Sequence, residues 1–214
     1  TLAHEMGHGV HQILAGPQGY LMADTPLTLA ETASVFAEML AFTSLMDRTD
    51  DPARRRFLLA GKVEDMMNTV VRQIAFHNFE TRVHDSRKQG ELSAEMLGDI
   101  WMETQTQALG PAVYLDESYR PVWSYIPHFI HTPFYVYAYA FGDCLVNALW
   151  QKYRTSGTTE KQSFIANYTG LLSAGGTVRY DAALEVFGLD ATDKAFWHLG
   201  LDMISAMIDE LETL

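Results

Sequence analysis

The sequence predicts an all-α protein with little or no sheet, and three observations carry that expectation. Apolar residues recur at helical spacing along nearly the whole chain. Gly, Pro, Asp and Asn break this pattern into helix-length pieces. No stretch alternates apolar with polar residues between turn signals, as a half-buried strand does.

Leu2 to Ala15 suits a helix that Gly16-Pro17-Gln18-Gly19 terminates with a breaker and flexible turn positions. A second helix is predicted from about Leu29 to Met46, with Thr28 as candidate N-cap and Val35, Phe36, Met39, Leu40 and Phe42 on its apolar face. Asp50-Asp51-Pro52 closes a connection, and Pro52 opens a long helix through Phe57, Val63, Met66, Val70, Ile74 and Phe79 to Lys88-Gln89-Gly90. Ser93 caps the next helix, toward Leu109. After Gly110-Pro111 an irregular segment rich in Tyr, Trp and Pro reaches Pro133. A helix from Phe134 to about Arg154 follows, and then shorter helices to the C-terminus.

The 214 residues are 48% apolar and 20% charged, a globular composition that supports one domain over residues 1–214, with neither an internal repeat nor a linker. Against 27 Asp and Glu stand only 15 Lys and Arg, and the net charge of −12 repels phosphate backbones and anionic membrane surfaces. Nucleic acid and membrane are therefore not expected as partners. The most apolar stretch, Phe134 to Trp150, is short and interrupted by Gly142, Asp143 and Asn147. The lone Cys144 cannot form an intramolecular disulfide, which points to the cytoplasm. The chain opens at Thr1 without an initiator Met or a signal peptide, and its strongest motif starts three residues later. We expect it to be the C-terminal part of a longer protein.

That motif is His4-Glu5-Met6-Gly7-His8, an H-E-x-x-H sequence on the first predicted helix. Residues four apart share a helix face, so both imidazoles can point at one ion. Glu5 lies about 100° around the axis, within reach of a water on that ion. Zinc is the natural occupant, taking His nitrogen at roughly 2.0–2.1 Å and, in catalytic sites, three protein ligands with an open position for water. Chance occurrence on a helix surface is the competing explanation, and a third ligand decides between them. A metzincin needs histidine at position 14, where Leu14 stands. A carboxylate from the following helix is the remaining common solution. Glu31 and Glu38 both lie there, and position alone does not choose between them.

These residues resemble the catalytic part of the oligoendopeptidase F and thimet oligopeptidase superfamily of zinc metallopeptidases. Thr1-Leu2-Ala3-His4-Glu5-Met6-Gly7-His8-Gly9-Val10-His11 is similar to the family's H-E-x-G-H element, and Glu31-Thr32-Ala33-Ser34-Val35-Phe36-Ala37-Glu38 to the helix that opens with its third ligand. The resemblance implies His4, His8 and Glu31 as ligands of one Zn2+, and oligopeptides as substrates, held in a channel between two helical lobes. Glu5 takes the general-base role that its motif gives it. Glu38, two turns beyond Glu31, is placed to orient a ligand histidine. His11 continues the His4–His8 face and is read as a packing or substrate-side residue.

Ile126-Pro127-His128-Phe129-Ile130-His131-Thr132-Pro133-Phe134-Tyr135-Val136-Tyr137-Ala138-Tyr139-Ala140 resembles the family segment that supplies a histidine and tyrosines facing the zinc. Hydrolysis builds negative charge on the former carbonyl oxygen, and neutral donors stabilise it. His128 and Tyr135 are the candidates for that role. Tyr139, on the helical face of Tyr135, is the candidate for substrate binding, whereas Tyr137 points elsewhere. Weaker similarity extends through Phe79-Glu80, Gly90-Glu91-Leu92, Leu172 to Thr177, Phe187 to Asp190 and Phe196-Trp197, where Gly175-Gly176 could admit a substrate backbone or form a turn. The missing upstream lobe of the same protein is an expected partner. Two other readings stay open: a non-catalytic helical zinc-binding or interaction fragment, and a metal-dependent hydrolase of non-peptide substrates.

Overall fold

A computed structural model describes residues 1–214, and every regular element in it is helical. α1 (Leu2–Ala15) ends where Gly16 and Pro17 enter a 3-10 turn, and the chain reverses at Gly19 with φ 80°, a left-handed value that glycine adopts without strain. A second 3-10 turn, Leu27–Leu29, precedes α2 (Thr32–Asp47). Thr28 lies inside that turn, so it does not cap α2 as the sequence predicts. Glu31 holds the N-cap position instead. α3 (Pro52–Met67) opens on its proline, where the missing N–H is no loss. A π-helical turn, Asn68–Arg72, joins it to α4 (Gln73–Arg87). α5 (Ala94–Leu109) is capped by Ser93, which accepts from the Met96 amide at 3.2 Å.

The segment that the sequence leaves irregular contains a 3-10 stretch, Glu117–Tyr125, and the short α6 (His128–His131). α7 (Tyr137–Thr155) starts three residues later than predicted, because Phe134 takes φ 61° and breaks the helix there. α8 (Thr158–Ser173), α9 (Tyr180–Glu185) and α10 (Lys194–Thr213) complete the chain. The expectation of shorter C-terminal helices fails for α10, the longest at 20 residues. Asp193 caps it by accepting from the Ala195 amide at 2.9 Å, and its apolar face continues on both sides of Gly200.

The chain forms two compact units, one of Thr1–Glu64 with Phe141–Leu214 and the other of Asp65–Ala140. In the first, α1 packs on α2 and α8. The α1–α2 approach is closest at Gly7, where a Cβ would stand 2.6 Å from both the Ala33 carbonyl oxygen and Ser34 Cα. Phe36 of α2 anchors an aromatic cluster with Tyr168 (ring centroids 4.7 Å apart), Trp150 (5.4 Å) and Phe164 (6.1 Å). Leu145, Leu149 and Leu184 are fully buried, each contributing roughly 1.5–3 kcal/mol relative to exposure. Leu27–Asp47 is by length and composition apolar enough to cross a membrane, but it carries Glu31 and Glu38 and uses Phe36 and Met39 in this core.

The second unit is built on Phe76 and Phe79 of α4 against Trp101 of α5, with Ile126, Val136 and Phe129 closing over them. The Trp101 indole N–H donates to the Tyr119 carbonyl at 3.1 Å, so this largest core side chain is buried without an orphaned donor.

Gly7 and Gly9 make a matched pair for testing the α1–α2 contact, since a Cβ at Gly9 meets nothing within 4 Å. Gly7→Ala is expected to lower unfolding stability by about 1–3 kcal/mol through overpacking against backbone. Gly9→Ala should gain about 0.5–1 kcal/mol from helix propensity. Chemical denaturation of both variants checks this, and equal effects would refute a close contact confined to Gly7.

Candidate metal centre

In the first unit, α1 presents His4 and His8 on one face, and the turn before α2 presents Glu31 to the same point. The two Nε2 atoms lie 3.1 Å apart, and Glu31 Oε2 is 3.6 Å from that of His4 and 3.4 Å from that of His8. Three ligands of a tetrahedral cation with bonds of roughly 2.0–2.1 Å are separated by roughly 3.3–3.4 Å. The donor atoms therefore already stand at the spacing such an ion requires. Their side chains are 28%, 35% and 25% exposed, so a fourth coordination position can face solvent.

Further groups hold these donors. Ser34, one helical turn after Glu31 and fully buried, donates its hydroxyl to Glu31 Oε2 at 2.6 Å. The motif does not single out Ser34, although its i,i+3 spacing from Glu31 is a legible signal. Glu38 Oε1 lies 3.3 Å from Nδ1 of His4, the nitrogen facing away from Glu31. A carboxylate there fixes the tautomer that leaves Nε2 free to bind a metal. Glu5, next to His4, is exposed. His11 is buried, with Nε2 3.3 Å from the Thr25 hydroxyl, and burial, with a smaller contribution from His8, depresses its pKa. Its buried ring, held against Thr25, packs inside the first unit.

Within the second unit, His128, Tyr135 and Tyr139 form one cluster. The Tyr139 hydroxyl is 3.3 Å from His128 Nε2, the Tyr135 ring stacks on His128 at 5.6 Å, and the two tyrosine rings are 5.3 Å apart. Tyr135 precedes α7, so a turn rather than a shared helical face brings the tyrosines together. Tyr137 is 38% exposed, with its ring against His77. Gly175-Gly176 packs against the chain's own Met22–Asp24 backbone, and the Gly176 amide donates to the Met22 carbonyl at 2.7 Å. That doublet is a turn.

A sequence model for Peptidase family M3 matches residues 1–203. The chain belongs to peptidase family M3. Among curated relatives, the oligopeptidase PepF of Bacillus subtilis strain 168 is 30% identical over 216 aligned positions, covering 100% of this chain and 32% of that protein. The chromosomal oligoendopeptidase F of Lactococcus lactis subsp. cremoris is 29% identical, covering 100% of this chain and 35% of that protein. The solved oligoendopeptidase F of Enterococcus faecium superposes with a TM-score of 0.83 at 29% identity, over 99% of this chain and 38% of that one. This M3 chain thus spans about a third of the length of the relatives it matches.

Behind the three converging donors of this M3 chain lies a second tier of charge that sequence spacing does not reveal. Lys62 of α3, 3.8 Å from Glu38 Oε2, holds its ammonium near the carboxylate that orients His4. Asp143, 4% exposed, accepts from Asn147 Nδ2 at 2.9 Å. Burial pushes the Asp143 carboxyl up to about 6, with Glu38 adding to the rise and Lys62 and Asn147 opposing it. The folded protein therefore holds this proton more tightly than the unfolded chain does. That contribution to stability is present at pH 4 and is lost as pH rises toward about 6, by roughly 2–3 kcal/mol in all. Asp143→Asn should match the parent at pH 4 and exceed its unfolding free energy by roughly 2 kcal/mol at pH 7. Denaturant titrations at the two pH values check this, and a stability difference that does not change with pH would contradict it.

Proposed function

We propose that this chain is the metal-binding catalytic segment of a zinc endopeptidase that hydrolyses short peptides. The observation that carries the reading is the convergence of His4 Nε2, His8 Nε2 and Glu31 Oε2 at tetrahedral spacing with one side open. Two imidazole nitrogens and one carboxylate suit zinc, and three protein ligands match its catalytic rather than its structural sites. The names of the relatives, oligopeptidase and oligoendopeptidase, support short peptides as the substrate class. Those relatives are about three times as long, and the partner proposed for this segment is the remaining length of such a protein.

When bound, zinc supplies a Lewis acid that polarises the scissile carbonyl and lowers the pKa of the attacking water. The chain's own residues do the rest. His4, held through Nδ1 by Glu38, and Glu31, held by Ser34, keep their donor atoms fixed so that no reorganisation precedes binding. Glu5, on the neighbouring face of the same helix, takes the water's proton and delivers it to the leaving amine. We assign His128 and Tyr135 as donors to the developing oxyanion and Tyr139 to substrate binding. Their assembly into one cluster of polar aromatic groups and the resemblance of their segment support these roles.

Glu5→Gln in the complete polypeptide should retain one equivalent of zinc while kcat on a quenched fluorogenic oligopeptide falls about 10²–10⁴-fold. His8→Ala should lose the zinc as well as the activity. Metal analysis beside the peptide assay separates the two effects. Hydrolysis at the parental rate by the Glu5 variant overturns the general-base assignment, and activity that survives complete chelation overturns the metal reading.

A further inference from the structure

The second unit contains one backbone feature that its sequence gives no reason to expect. Phe134 is the only non-glycine residue in the chain with positive φ, at 61°. A bulky side chain is strained there, and such strain persists only where surrounding structure enforces it. The contact made at this turn comes from 54 positions earlier: Glu80 Oε1 accepts the Phe134 amide at 2.6 Å.

Glu80 is itself anomalous. It is 2% exposed, beside the core residue Phe79 on α4, and its Oε2 has no hydrogen-bond partner. A buried carboxylate with one orphaned oxygen is a poor choice for stability alone, where an apolar side chain of similar volume serves as well or better. Its neighbours on the same face of α4 grip the same turn. His84, four residues on, packs its ring on Phe134 at 4.6 Å, and His77, three residues back, packs on Tyr137 at 5.8 Å. α4 therefore holds the segment by one backbone amide and two rings, on either side of Tyr135.

The turn so held joins the two arms of the polar aromatic cluster. His128 stands on α6 before it, Tyr135 immediately after Phe134, and Tyr139 in the first turn of α7. If Phe134 relaxed to negative φ, the peptide plane entering Tyr135 would rotate and carry both tyrosines away from His128. We infer that Glu80 is a positioning residue, whose buried carboxylate holds Phe134 in the left-handed conformation and thereby keeps Tyr135 and Tyr139 packed on His128. The effect on turnover rests on the peptidase reading above, while the effect on the cluster does not.

Three variants of the complete polypeptide test this. Glu80→Leu removes the acceptor and the orphaned carboxylate oxygen together. Glu80→Gln keeps a carbonyl oxygen for the Phe134 amide. Glu80→Leu with Phe134→Gly gives the turn a residue that adopts positive φ without strain. The first readout is the set of proton NMR Overhauser contacts between the His128 ring and the rings of Tyr135 and Tyr139. Thermal stability and zinc content are the second, and oligopeptide kcat the third. Glu80→Leu should match the parent in melting temperature and zinc content, lose the contacts and lose at least tenfold in kcat. Glu80→Gln should keep the contacts and stay within about threefold in kcat, and the added glycine should restore contacts and at least threefold of the lost rate. Intact contacts in Glu80→Leu overturn the inference. So does a loss of contacts that neither glutamine nor glycine repairs. Should the parent hydrolyse no peptide, the contacts still decide the role of Glu80, and the peptidase reading alone falls.

Discussion

The close approach of α1 and α2 at Gly7 is the constraint on which the rest of the first unit depends. Gly7 sits between the two histidines of the motif, and its missing Cβ lets the start of α2 lie directly against α1. Ala33 and Ser34, the residues it touches, are two and three positions beyond Glu31. Backbone contact at Gly7 therefore sets the distance from the histidine pair to the carboxylate, and Ser34 then fixes which oxygen of Glu31 turns inward. A separation larger by an ångström would leave two imidazoles and a carboxylate that happen to be neighbours. At the observed separation they form a set of three donors matched to one small cation.

Around that set the electrostatics are tiered. The three donor groups are partly exposed, Glu38 and Lys62 stand behind them, and Asp143 with Asn147 is buried. Glu38 touches His4 Nδ1 and Lys62 pairs with Glu38, while Asp143 acts on both through its field alone. The buried acid at the back destabilises the fold at neutral pH, as expected where local stability yields to the demands of a site. Glu80 shows the same trade in the second unit, where a buried carboxylate holds a strained turn beside His128 and its tyrosines.

Much of this is legible in the residues themselves. The limits of α1 follow from Gly16 and Pro17, the start of α5 from Ser93, and the pairing of His4 with His8 from their spacing. These signals are local, each contained within one turn of chain. What the sequence hides is set at a distance. The left-handed Phe134 is imposed by a residue 54 positions away, so the segment Pro133-Phe134-Tyr135 reads as a helix start. α2 begins after a 3-10 turn that displaces the obvious cap, Thr28. Lys62 of α3 meets Glu38 and Asp143 of α7 feels the charge of both, and no motif spacing announces either. The two compact units leave no trace in composition either, because their boundaries fall within α3 and α7 and not in a linker.

Three side chains gripping one ion are the core of the proposed site, and a crystal structure of the zinc-loaded polypeptide, with anomalous scattering recorded at the zinc edge, addresses that directly. The predicted result is a single strong anomalous peak roughly 2.0–2.2 Å from His4 Nε2, His8 Nε2 and a Glu31 carboxylate oxygen, with a solvent molecule as the fourth neighbour. A peak elsewhere, or a Glu31 carboxylate turned away from an ion bound only by the histidines, would contradict it.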